Sequence, residues 1–207
     1  MSTGRKNDKI PVQAGRIAQL SRMGEEIFYV DDLARMWHII HKNTLYTTLK
    51  RYVQQGILFR IYKGLYSSKP LAELDPLLLG RRALHGYAYV STETILSQHG
   101  TILQQIPWIT FIGQVSRKFA IGSNQYHCRK LSDQYLYQTI GIEDVNGVTQ
   151  ATLSRAVSDM LFFNPLSYFD APQFIDWKEV KKIQKILNYP LTPNRYDDSS
   201  KPKRRNA

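Results

Sequence analysis

The chain has 207 residues and a mass of 24.0 kDa, enough for a real hydrophobic core and for two modest domains. No apolar run reaches the roughly 18 residues of a membrane span, and the opening MSTGRKNDK has no apolar leader core, so a cytoplasmic protein without a membrane partner is expected. The single Cys128 excludes an internal disulfide and a multi-cysteine zinc site, and the net charge of +11 calls for a polyanionic partner or a solubilising surface.

The charge is unevenly spread. Residues 1–70 hold 12 Lys/Arg against 5 Asp/Glu, residues 71–194 hold 11 against 10, and residues 195–207 hold 5 against 2. A near-neutral middle is therefore flanked by a basic head and a basic tail, the distribution expected of a nucleic-acid-binding head on an ordinary globular body. The expected division is a flexible basic N-terminus (1–12), a DNA-binding domain (13–70), an α/β domain (71–189) and a disordered basic tail (190–207).

In the head, Ile17 and Leu20 predict a first helix from Gln13 to Met23, stopped by Gly24. Asp31 is the expected N-cap of a short second helix carrying Leu33, Ala34 and Trp37, and HIIHKN is the turn after it. Asn43 is the expected cap of a third helix, with Leu45, Leu49, Tyr52 and Val53 on its buried face and Gly56 just past its end. At 100° per residue the opposite side carries Thr44, Thr47, Lys50, Arg51 and Gln54, hydroxyls, an amide and cations that suit phosphates and base edges. No Asp or Glu occurs between Ala34 and Ala72, so nothing acidic opposes a phosphate backbone there.

After Gly56 the apolar period changes from 3.6 to 2. In ILFRIYKGLYSS, Leu58, Arg60 and Tyr62 alternate with Ile57, Phe59 and Ile61, Lys63-Gly64 makes a turn, and Leu65 and Tyr66 begin the return strand. Three helices and a basic hairpin spell a winged helix-turn-helix, with helix three in the major groove and the hairpin against the backbone or the minor groove. The expected DNA-binding residues are Lys42, Asn43, Thr44, Thr47, Lys50, Arg51, Gln54, Arg60, Tyr62 and Lys63.

The remainder predicts a mixed α/β domain, so the fold class is α+β. A connecting helix starts near Asp75-Pro76, YAYV is a strand, and Ser91 caps a helix closed by Gly100. WITFIGQ, KFAIGS and NQYHCRKL read as strands. VTQATLSRAVSDMLFF reads as a helix with Ala151, Leu153, Ala156, Val157, Met160 and Leu161 inward, and a last helix runs from Asp176 to Leu187 with Lys178, Lys181, Lys182 and Lys185 outward.

Catalytic and metal patterns are weak. His38 and His41 lack completing ligands, His127 and Cys128 adjoin on a strand and point to opposite faces, and no phosphate-cradling glycine loop, G-x-S-x-G or H-E-x-x-H is present. A Mg²⁺ nuclease could draw only on Glu143 and Asp144, or on Glu179 with Lys181. The expectation is no catalytic residue, no metal and no cofactor. A nuclease targeted by the head is the alternative, and an adaptor for an acidic protein is a third reading.

LKRYVQQGILFRIYKGLYSS followed by YVSTETILSQHG resembles the AbiEi family of type IV antitoxins, bacterial proteins of phage abortive-infection systems. The resemblance rests on Leu49, Gly56, Leu58, Arg60, Gly64, Leu65 and Tyr66, then on Ser91, Glu93, Leu96, His99 and Gly100. A third block is similar at Ala151, Thr152, Arg155, Ala156 and Asp159 but lacks the family's proline and glutamate. The likeness implies a winged-helix repressor of its own operon; two protomers on an inverted repeat in double-stranded DNA are expected separately, because two-fold operators usually mirror two bound copies. The likeness also implies a C-terminal domain that counters a nucleotidyltransferase-like toxin without a stable toxin complex.

Overall fold

The computed structural model describes residues 12–191. The expected N-terminal extension and basic tail therefore lie outside the described residues, apart from Val12, Pro190 and Leu191. Helices and strands are mixed throughout, an α+β architecture, and the chain divides into two compact units between Asp75 and Pro76.

The first unit contains α1 (Val12–Met23), β1 (Ile27–Tyr29), α2 (Val30–Met36), α3 (Lys42–Gln54), β2 (Phe59–Tyr62) and β3 (Leu65–Ser67). Its sheet has the order β1-β3-β2 and is antiparallel throughout, so the short, buried β3 is central. Strand β1 was not anticipated from the sequence. The core gathers Leu20, Phe28, Leu33, Trp37, Leu45, Leu49, Tyr52, Leu58 and Tyr66, one or more from each helix together with the cross-strand pair Phe28 and Tyr66 on one face of the sheet, and this fixes α3 against the hairpin.

Both expected caps are displaced. Tyr29 is the N-cap of α2 and His41 that of α3, neither with a side-chain cap bond, which leaves Asp31 and Asn43 inside the first turns. Asp31 and Asp32 there complement the positive end of the helix dipole. Helix α2 ends with His38 at φ 53° and the Ile39 N–H on the Ala34 carbonyl at 3.0 Å, a left-handed C-cap filled by histidine rather than glycine. The buried stripe of α3 is Leu45, Thr48, Leu49 and Tyr52, while Val53 is 36% exposed. Val53 lies at the rim of that stripe on the helical wheel, and Thr48 takes the opposite rim.

The second unit contains α4 (Pro76–Ala83), β4 (Ala88–Val90), α5 (Glu93–Gln98), β5 (Trp108–Gly113), β6 (Arg117–Ile121), β7 (Asn124–Lys130), α6 (Asp133–Leu136), β8 (Ile142–Val145), β9 (Val148–Ala151), α7 (Leu153–Phe163) and α8 (Trp177–Ile186). Its six strands run in the order β6-β7-β5-β4-β9-β8. The pairs β5/β7 and β4/β9 are parallel and the other three antiparallel. VTQA is thus strand β9 rather than the start of a helix, and Ala151 leaves the inward set of α7. Thr152 caps α7 by accepting the Arg155 N–H.

Helix α4 packs on the sheet face of Phe111 and Tyr126, and Gly80 permits the approach. A Cβ at Gly80 would stand 2.4 Å from the Tyr126 ring and 2.8 Å from Phe111. Gly80→Leu is therefore expected to destabilise the unit by about 3 kcal/mol in urea denaturation. Gly15→Ala in α1, where an added Cβ meets nothing within 4 Å, is expected to gain up to about 1 kcal/mol.

On the other face, α7 brings two charged residues into the core. Arg155 and Asp159 are fully buried, with Nε to Oδ1 at 2.9 Å. Arg155 donates further to the carbonyls of Gln138 at 3.1 Å and Ile140 at 2.9 Å, and to the Tyr89 hydroxyl at 2.8 Å. Asp159 accepts from Ser91 Oγ at 2.9 Å, the Tyr89 hydroxyl at 3.1 Å and the Tyr189 hydroxyl at 2.9 Å. Burial, followed by the Asp159 charge, raises both tyrosines well above the ordinary phenol value, so both keep their protons and donate. Ser91 is thus spent on this network and does not cap α5. Thr92 takes that place at φ 48°, ψ −127°, a conformation that β-branched residues rarely adopt.

Candidate nucleic-acid interface

Helix α3 presents its exposed side beside the β2–β3 hairpin. Lys42, Asn43, Thr44, Thr47, Lys50, Arg51 and Gln54 are all exposed along it, as are Arg60 and Lys63 on the hairpin, and Tyr62 is half-buried. The structure does not gather all of them. Lys50 and Gln54 join Arg60 and Lys63 around a groove of about 510 Å³, whereas Thr44 and Arg51 lie on the far flank of the helix. The Arg51 guanidinium stands 5.6 Å from the Tyr52 ring centroid, a cation–π contact that holds it along the helix surface.

The groove also contains Tyr46, Val53 and Tyr66, none of which the sequence reading assigned to it. Tyr46, Lys50, Val53 and Gln54 have the i, i+4, i+7, i+8 spacing of a single helix ridge, a signal that was available. Burial, the first cause, raises the Tyr66 phenol above its ordinary value while Arg60 pulls it down, so it stays protonated beside that cation. Among the described residues the lining thus combines three cations, two tyrosines and no carboxylate.

Two local features shape the hairpin. Gly64, at φ 93°, makes the turn after Lys63, and the register shifts between Arg60 and Tyr62, leaving Ile61 as a bulge. The strict alternation expected for Arg60 and Tyr62 is broken there. Arg60 pairs with Tyr66 across the ladder and so stands at the groove. At the other end of α3 the first turn has no acidic residue and no side-chain cap, which leaves its N–H groups open to an anion.

The nuclease candidates do not assemble. Glu143 and Asp144 are exposed on strand β8, and Asp144 accepts the Gly147 N–H at 2.9 Å to shape the β8–β9 turn. Glu179 bonds Lys182 at 3.1 Å, an exposed pair one turn apart on α8. His38 and His41 are exposed at the ends of α2 and α3, and among the described residues no group of three His, Cys, Asp or Glu is placed to hold a metal ion. Cys128 is buried, its thiol pushed up to about 11 by desolvation, a packed and unreactive side chain.

No protein-family model and no curated protein matches the chain. Among solved structures it is similar to the RV2827C protein from Mycobacterium tuberculosis, at 12% identity and a TM-score of 0.52, over 86% of this chain and 72% of that one. At this identity the likeness concerns the fold alone. Among the described residues, no helix is long and apolar enough to cross a membrane.

Proposed function

We propose that the first unit is a winged helix-turn-helix that binds double-stranded DNA in the cytoplasm, with α3 in the major groove and the β2–β3 hairpin as the wing. The observation that carries this reading is the groove between them, where Lys50, Arg60 and Lys63 converge with two tyrosines and no acid. Thr44, Thr47, Lys50 and Arg51 read base edges, while Lys42, Arg60, Tyr62 and Lys63 hold phosphates. Two protomers occupy an inverted repeat upstream of the protein's own gene and repress it. By its resemblance to AbiEi antitoxins, the second unit counters a nucleotidyltransferase-like toxin without a stable complex. In support, Ser91 of the second resemblance block and Arg155 and Asp159 of the third meet in one buried network.

The test is binding to the upstream DNA against a scrambled duplex across a salt series. Preference for the upstream sequence is expected, with a log–log salt slope of about −4 to −5 per protomer and about twice that for two. Equal, weak binding to both duplexes would remove the repressor reading.

A further inference from the structure

One end of the second unit's sheet is left open on the face that α5 and α7 cover elsewhere. The β5/β7 and β6/β7 registers put Trp108, Gln125, His127, Arg129 and Lys118 on this face. Lys118 and Gln125 are exposed and the other three half-buried. Lys118 Nζ stands 5.2 Å from the Trp108 ring centroid, and the His127 ring meets Trp108 edge-on at 6.0 Å. Arg129 pairs with Glu93 at the start of α5 and lies 5.4 Å over Phe163 of α7.

Beside this face lies a cavity of about 260 Å³, whose lining includes Glu93, Ser97, Gln98, Trp108, Asn124 and Gln125. One carboxylate oxygen of Glu93 is held by Arg129, while the other, Oε2, is buried and has no hydrogen-bond partner among the described residues. The Trp108 indole N–H and His127 Nδ1 are likewise buried and unpartnered among the described residues. Orphaned polar atoms are rare in a packed fold, and three in one cluster, two of them on residues that line a cavity, point to a ligand.

The chemistry of the lining narrows that ligand. Among the described residues Glu93 is the single charged one in the lining, so a phosphate is repelled, and an apolar side chain would leave the orphaned atoms unpaired. A nucleobase edge places N–H donors beside acceptors and satisfies both a carboxylate oxygen and an indole N–H. The neighbouring Lys118 and Trp108 supply a phosphate contact and a stacking surface. A base paired in a duplex cannot enter such a cavity, whereas an unstacked base of a single strand can.

We propose that this open sheet face and its cavity form a second nucleic-acid site, which binds single strands by stacking on Trp108 and taking one base against Glu93. The site is separate from the duplex-binding surface of α3 and stands without it.

The test uses the full chain and fluorescein-labelled, unstructured 12-nucleotide RNA and DNA, read by fluorescence anisotropy. Trp108→Leu and Lys118→Glu are each expected to weaken binding by about tenfold, with duplex binding unchanged. Lys50→Ala/Arg51→Ala is expected to retain single-strand binding, which separates this proposal from the winged-helix reading. Because Lys118 is exposed, its variant keeps the test valid if Trp108→Leu misfolds. Tighter RNA than DNA binding would assign the site to transcripts, and equal binding to single strands of either sugar. Absence of saturable binding, binding untouched by Lys118→Glu, or binding lost only in Lys50→Ala/Arg51→Ala would overturn the proposal.

Discussion

Asp159→Ala is expected to cost about 3–5 kcal/mol, a large share of the roughly 5–15 kcal/mol that holds a typical domain folded. The substitution leaves the Arg155 guanidinium buried with its main counter-charge gone, and removes the acceptor of the Tyr89, Ser91 and Tyr189 hydroxyls. None of these groups can turn to water, because Arg155, Ser91 and Tyr89 are fully buried and Tyr189 is nearly so. Urea denaturation followed by circular dichroism measures the loss. The double variant Arg155→Met/Asp159→Leu is expected to recover most of it, since replacing both members of a buried pair by apolar residues removes the uncompensated charge. A midpoint for Asp159→Ala no lower than that of the exposed control Asp133→Ala would mean that the ion pair contributes nothing.

This network was the least legible part of the chain. Opposite charges at an i, i+4 spacing ordinarily read as a surface pair, and hydrophobic periodicity treats every Arg and Asp as solvent-facing. What buries Arg155 and Asp159 is the arrival of Tyr89 from β4, Tyr189 from beyond α8 and two carbonyls after α6, long-range contacts that no local window contains. The same limit hid β1, β8 and β9, which have three or four residues each and owe their form to ladder partners more than to their own pattern. By contrast α3 and the hairpin were legible, because the period changes from 3.6 to 2 at Gly56 and Gly64 makes the turn. Even there Val53 was assigned to the core, and the groove it shares with Tyr46 and Tyr66 depends on a bulge at Ile61 that alternation cannot show.

In Lys50→Ala/Arg51→Ala, affinity for the upstream duplex is expected to drop by about 3 kcal/mol, roughly a hundredfold, and the preference over scrambled DNA to vanish. Both side chains are exposed, and alanine is the best helix former, so α3 keeps its structure and the loss falls on recognition. The geometry further separates the two residues. Lys50 shares the groove with Arg60 and Lys63, so in the proposed complex its charge adds to their attraction for phosphates besides reading a base edge, and Lys50→Ala alone is expected to lower the salt slope by about 1. Arg51 stands on the other flank over Tyr52, where a planar guanidinium held at one height along the helix can take a base edge in a bidentate contact. Arg51→Ala alone is therefore expected to relax sequence preference more than it changes the salt slope. If both single variants instead weakened upstream and scrambled duplex equally, α3 would be a phosphate-binding surface without a reading face. The sequence preference would then have to come from DNA shape sensed by the hairpin.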